Sequence, residues 1–146
     1  MNPGEERIGG PEPVSVVRAF YQAVSTGDAD AVRSLVRERF ADDAVFHWPE
    51  SLPYGGSVSG RAKLERVLGG AAAATEPVGV RKLQLACVID GGDRVVAQLE
   101  FDWYAPDETG FPPGTGAVEV WTFAGGQVSE IKAYYWDTAA CMARYA

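Results

Sequence analysis

The chain has 146 residues, enough for one domain with a substantial core and too few for two ordinary ones. With 13 basic against 20 acidic residues it carries a net charge of −7, which repels a phosphate backbone and an anionic membrane surface alike, so neither nucleic acid nor membrane is an expected partner. The two cysteines, Cys87 and Cys141, and the lone His47 lack metal-ligand spacing, and the thiols read as unpaired; no metal is expected.

Met1 to Pro13 is rich in Gly and Pro, lacks the apolar run of a signal peptide and reads as a flexible leader to a single domain over 14–146. No stretch approaches the roughly 20 apolar residues of a membrane span, and a cytoplasmic location is expected. Val14 to Ser25 sets Val17, Phe20, Tyr21 and Val24 at helical spacing. Thr26-Gly27-Asp28 ends that helix and caps a second, Ala29 to Arg37, with Val32, Leu35 and Val36 inward. Asp42-Asp43 then turn the chain into a short strand, Ala44 to Trp48, and Pro49 to Ser59 reads as a loop. A third helix runs from Gly60 to Leu68 with Leu64, Val67 and Leu68 inward; the run Ala71 to Ala74 either extends it or forms a link.

The second half is strand-rich: Val80 to Ile89, Arg94 to Tyr104, Ala117 to Ala124 and Gln127 to Trp136 form antiparallel hairpins turning at Gly91-Gly92 and Gly125-Gly126. Ala105 to Gly116 is a longer loop able to overhang a pocket. Helices followed by strands predict an α+β domain, with a curved, mostly antiparallel sheet packed against three N-terminal helices as a cone-shaped barrel. The open end of such a cone suits a small apolar ligand.

Strand parity selects candidate site residues. Glu119 shares a face with Trp121 and Phe123, so it is expected among rings, where loss of water raises a carboxyl pKa and lets it stay protonated near neutral pH. Leu99, Phe101 and Trp103 face inward, which leaves Glu100 and Asp102 as solvated or interface carboxylates. On the last strand Ile131, Ala133, Tyr135 and Asp137 form the cone face, and Val128, Glu130, Lys132, Tyr134 and Trp136 an outer face suited to a homodimer contact. Asp137 is either a second carboxylate at the mouth or the N-cap of a short terminal helix, Thr138 to Arg144. His47 is the usual residue type for proton transfer, but alternation sets it opposite Phe46 and Trp48, facing out unless the strand bulges near Pro49. Glu50 and Tyr54 lie in the following loop, and Tyr21, Tyr54 and Tyr135 are phenolic donors or aromatic wall. Nucleophile elbows, phosphate loops, dinucleotide fingerprints and metal-binding helix motifs do not occur, so cofactor-free chemistry is expected.

Phe20-Tyr21 through Thr26-Gly27-Asp28, Phe40-Ala41-Asp42-Asp43-Ala44-Val45-Phe46, Tyr54-Gly55-Gly56 through Gly60-Arg61, and Gly125-Gly126-Gln127-Val128 leading into Tyr134-Tyr135-Trp136-Asp137 follow one another in an order that resembles the nuclear transport factor 2-like fold, in its ketosteroid-isomerase and SnoaL-like branches. The likeness covers about residues 13 to 138. It implies three catalytic positions. The isomerase base, a carboxylate before a proline after the first strand, corresponds to Trp48. The oxyanion tyrosine of the first helix corresponds to Phe20, with Tyr21 one residue on and rotated by about 100 degrees. The protonated acid of the penultimate strand corresponds to Glu119. The Asp-Arg-Asp arrangement of limonene-epoxide-hydrolase-like enzymes does not map, since its final position is Tyr134. The resemblance therefore implies a cofactor-independent isomerase, cyclase, dehydratase or epoxide-opening enzyme for a hydrophobic small molecule, such as a polyketide or terpenoid of natural-product biosynthesis. Glu119 would be its acid, and His47, Asp137 or a loop residue would handle the second proton. The alternatives are a non-catalytic binding module, favoured by the ring at Trp48, and a dimeric scaffold with a filled cone. Phe20, Trp48, Glu50, Tyr54, Phe101, Trp103, Trp121 and Tyr135 are the expected ligand contacts.

Overall fold

The computed structural model describes residues 12–75, 79–104 and 116–143. The expected leader over 1–13 and the loop over 105–116 lie almost wholly outside these residues. Helix α1 (Pro13–Ser25) opens on a proline, whose missing N–H has no intrahelical partner to lose in a first turn. It buries Val16, Val17, Phe20, Tyr21 and Ala23, an arc wide enough to hold the adjacent rings of Phe20 and Tyr21 together. Gly27, at φ +70°, carries the turn that L-residues enter reluctantly, and Asp28 accepts a hydrogen bond from the Ala31 N–H at 3.1 Å to cap α2 (Ala29–Arg39).

Helix α3 (Arg61–Ala73) takes in most of the alanine run, since alanine is the best helix former. Its buried line is Leu64, Leu68 and Ala72 at i, i+4 spacing, so Val67, expected inward, sits at the margin and is exposed. A Cβ added at Gly69 would lie 2.5 Å from Arg33 Nε, which shows how closely α2 and α3 approach, and Arg37 donates to Glu65 across the same contact at 2.8 Å.

Strands β1 (Phe40–Trp48), β2 (Gly56–Ser59), β3 (Gly79–Asp90), β4 (Arg94–Tyr104), β5 (Gly116–Ala124) and β6 (Gln127–Tyr135) form one open, curved sheet in the order β2-β1-β6-β5-β4-β3. All pairs are antiparallel except β1 with β6. The expected α+β architecture holds, with the helices against the concave face. Two segments expected outside the strands belong to them. The segment Gly56-Ser57-Val58-Ser59, read as loop, adds an edge strand to β1, and Asp42-Asp43, read as a turn, lie within β1 at an irregularity between Phe40 and Val45.

A bulge corrects the parity of β6. Thr122 pairs with Glu130 but Phe123 with Val128, leaving Ser129 as an extra residue whose hydroxyl donates to the Thr122 carbonyl at 3.0 Å. Val128 is thereby turned into the core instead of sharing the outer face with Glu130 and Lys132. A last helix, α4 (Thr138–Ala143), follows β6. No helix among the described residues is long and apolar enough to cross a membrane.

Candidate active site

The sheet register builds the site floor from rows of facing residues. Glu119 of β5 stands between Ala97 of β4 and Ala133 of β6, and the next row is Leu99, Ala117, Tyr135. Methyl groups stand on both sides of the carboxyl where strands usually carry bulkier β-branched residues, and Ala97, Ala117 and Ala133 are all buried. Behind Glu119 lies the row Val95, Trp121, Ile131, Phe46, against which Phe20 packs edge-on to Trp121 at 5.0 Å between centroids. Strand parity had placed Ala133 on the cone face, but Ala97 and Ala117 are a part of the site that residue-type reasoning passed over. Their signal was present in the sequence, as the smallest side chains at inward parity in strands otherwise rich in Val, Trp and Phe.

Glu119 is the one buried charged residue among those described, with 6% of its surface exposed. The Tyr21 hydroxyl donates to its Oε1, and the Trp121 indole N–H donates to the Tyr21 oxygen at 2.8 Å. Oε2 carries no hydrogen bond among the described residues. Burial pushes the Glu119 carboxyl up to about 7, and the bond from Tyr21 pulls the other way. Burial, then the Glu119 charge, holds the Tyr21 phenol well above its ordinary value, so the shared proton stays on Tyr21. Near neutral pH Glu119 thus divides between acid and carboxylate, with one oxygen anchored by Tyr21.

Tyr21 reaches the acid although the resemblance placed Phe20 at the tyrosine position. The wide buried arc of α1 admits both rings, which meet edge-on with centroids 5.2 Å apart, and Tyr21 is the one whose hydroxyl points at β5.

Toward the open end, Trp48 stacks on Phe46 with centroids 3.8 Å apart and a 7° interplanar angle, so a ring pair fills the expected base position. Tyr54 stands edge-on to Trp48 and beside Trp103, and its hydroxyl shares a hydrogen bond with that of Tyr135 at 2.5 Å. Phe101 and Trp103 flank the Tyr135 ring from β4. A recess of about 320 Å³ opens at the ends of β1 and β6, lined by Trp48, Ala133, Tyr135 and Thr138 and, from the outer side, by His47 and Lys132.

Three candidates lie apart from this cluster. His47 follows unbroken pairing from Val45 to Trp48 and faces outward, where Nε2–H donates to Glu130 at 3.2 Å and Nδ1 accepts from Ser57 at 2.7 Å, roles set by what the carboxylate can accept. Asp137 is exposed and accepts from the Ala140 N–H at 2.8 Å, which makes it the cap of α4. Glu50 is exposed in the turn after Pro49. Among the described residues no group of three or more His, Cys, Asp or Glu is placed to hold a metal ion, and Cys87 and Cys141 are free thiols.

An open curved sheet with helices packed against it is the architecture of the nuclear transport factor 2-like proteins. Within that class, residues 17–131 match the SnoaL-like domain family, and the chain belongs to it. Among solved structures it is similar to Bal32a from a soil-derived mobile gene cassette (TM-score 0.71, 21% identity, covering 91% of this chain and 95% of that one). It is also similar to TerC co-crystallised with polyporic acid (0.67, 24%, 87% and 92%) and to an NTF2-like protein from Burkholderia thailandensis (0.72, 18%, 91% and 98%). At these identities the likeness is one of fold. No curated protein matches in sequence.

Proposed function

We propose that the protein is a cofactor-independent acid/base enzyme acting on a hydrophobic small molecule bound in the cone, with Glu119 as general acid. The carrying observation is the Glu119 carboxyl: buried, poised at about 7, one oxygen held by Tyr21 and the other unbonded over an alanine floor. A protonated acid in such surroundings stabilises charge developing on a substrate oxygen more than water does. Because His47 and Asp137 are spent elsewhere, one acid must serve both ends of the reaction, or water must take the second proton. That favours isomerisation across adjacent atoms, dehydration or ring opening over chemistry needing two opposed carboxylates. TerC, of the same fold, was crystallised with polyporic acid, which supports a small-molecule ligand. Pairing of two copies through the outer face of the sheet, where Tyr134 and Trp136 are exposed, is part of this reading. So is a place in polyketide or terpenoid biosynthesis.

The stacked rings of Phe46 and Trp48 favour a second reading, a binding module without turnover, since they offer contact area and no proton chemistry. Hydrogen–deuterium exchange at the α-carbon of 2-tetralone, followed by NMR, separates the two. The enzyme accelerates exchange, with Glu119→Gln losing about a thousandfold in rate while affinity stays within about threefold. Binding without acceleration establishes the module instead.

A further inference from the structure

A set of unmet backbone groups lies at the end of β6, away from Glu119. The Trp136 N–H donates to the Gly116 carbonyl at 2.9 Å, so the even-numbered residues of the adjoining stretch of β6 turn their backbone groups toward β5 and the odd-numbered ones turn theirs toward β1. On the β1 side the parallel register stops at His47 and Lys132. The next rung needs an N–H from residue 49 to reach the Ala133 carbonyl, and residue 49 is proline. The chain then turns away, with the Pro49 carbonyl accepting from the Leu52 N–H at 3.1 Å. The Ala133 carbonyl and the Tyr135 N–H and carbonyl therefore have no backbone partner among the described residues.

These groups border the recess of about 320 Å³ between the strand ends. The side chains on its wall add donors. The Lys132 ammonium lies over the Tyr134 ring, 5.5 Å from its centroid, and has no ion pair among the described residues; the Thr138 hydroxyl makes no hydrogen bond among them. His47 has both ring nitrogens engaged, by Ser57 and Glu130. Among the described residues no carboxylate lines the recess, so it is a basic spot on a chain of net charge −7. We infer that it is a binding site for N-acyl amino acids: the Lys132 ammonium and the Tyr135 N–H meet the carboxylate, the Ala133 carbonyl accepts from the amide N–H, and an apolar side chain lies against Trp48. A ligand with only the carboxylate leaves the Ala133 carbonyl unmet, and one with only the amide leaves the ammonium unmet, each at a cost in affinity. The site uses neither Glu119 nor Tyr21, so it stands or falls separately from the proposed acid/base chemistry.

The test is titration of the nitrogen-15-labelled full chain with N-acetylleucine, followed by proton–nitrogen correlation NMR. Half-saturation is expected at about a millimolar concentration, ordinary for a ligand of this size. The Tyr135 amide proton should move downfield as it gains a hydrogen bond, while the Ala97 and Ala117 amides beside Glu119 stay in place. N-acetylleucine methyl ester, which lacks the charge, should bind about tenfold more weakly, and N-acetyl-N-methylleucine, which lacks the amide hydrogen, about fivefold more weakly. Lys132→Gln should weaken the acid about threefold and leave the ester unchanged. An unmoved Tyr135 amide, an ester that binds as well as the acid, or acid binding that Lys132→Gln leaves intact overturns the inference. Shifts confined to the Ala97 and Ala117 row overturn it as well, because they place the ligand in the cone.

Discussion

The two faces of the sheet each carry a carboxylate bonded to an aromatic or imidazole group, and the two clusters differ in almost everything that matters for chemistry. Inside, Glu119 is 6% exposed and answers to Tyr21 and, through it, to Trp121. Outside, the Glu130 side chain is 47% exposed and the His47 side chain 33%, with Ser57 completing the row. By residue type the outer cluster is the more suggestive, because serine, histidine and glutamate are common catalytic companions. The inner one has the physical environment, because removing water from a carboxylate changes its proton affinity whereas a solvated pair mainly exchanges one set of partners for another.

The sharpest way to break this comparison is to exchange the roles. Glu119→Gln should cost about a thousandfold in tetralone exchange, and His47→Gln should stay within about threefold; a loss on the histidine side would move the chemistry to the outer face. Next in size is the dependence of stability on pH. The folded value of about 7 lies above the ordinary 4.5, so the folded chain binds a proton that the unfolded chain releases between those values. The Glu119 contribution is therefore fully present below about pH 4.5 and lost as pH rises through 7, amounting to about 3 kcal/mol. Urea unfolding at pH 5 and pH 8 should show that fall in the wild type, and Glu119→Gln should flatten it.

Tyr21→Phe should cost about 1–2 kcal/mol, because it strands the Trp121 N–H without its acceptor. It also removes the bond that lowers the Glu119 pKa, so the pH at which that group titrates, read by carbon-13 NMR of the labelled carboxyl, should move upward. The smallest effect belongs to the outer cluster. Glu130→Gln should change stability by less than about 1 kcal/mol, and the change should shrink further in high salt.

Glu119 was legible in the sequence because alternation in β5 runs unbroken from Ala117 to Phe123, and a charge at inward parity stands out. The long strands β3 to β6 were legible for the same reason. What escaped was whatever depends on one inserted residue or on a partner far along the chain. The inward turn of Val128 follows from the extra residue at Ser129, which no periodicity announces. Edge strand β2 is four residues long with two serines and a glycine, and only its pairing with β1 makes it a strand. The contact of Tyr21 with Glu119 spans 98 positions and depends on how broadly α1 is buried, which a single helical stripe does not convey. Asp137 was readable either as a cap or as a catalyst, and the local hydrogen bond to Ala140 decides for the cap.

The parallel pairing of β1 with β6 also bears on how the chain folds. Partners such as His47 and Glu130 are 83 positions apart, so the N-terminal helices and β1 cannot complete their sheet until the final strand arrives. Closing so long a loop is entropically costly before any contact repays it, which places this chain with the slower folders of its size. On the ribosome the first half must wait, with Phe46 and Trp48 uncovered, for the last hairpin to emerge. Any agent that delays β6 should expose that aromatic pair to aggregation well before it touches the acid itself.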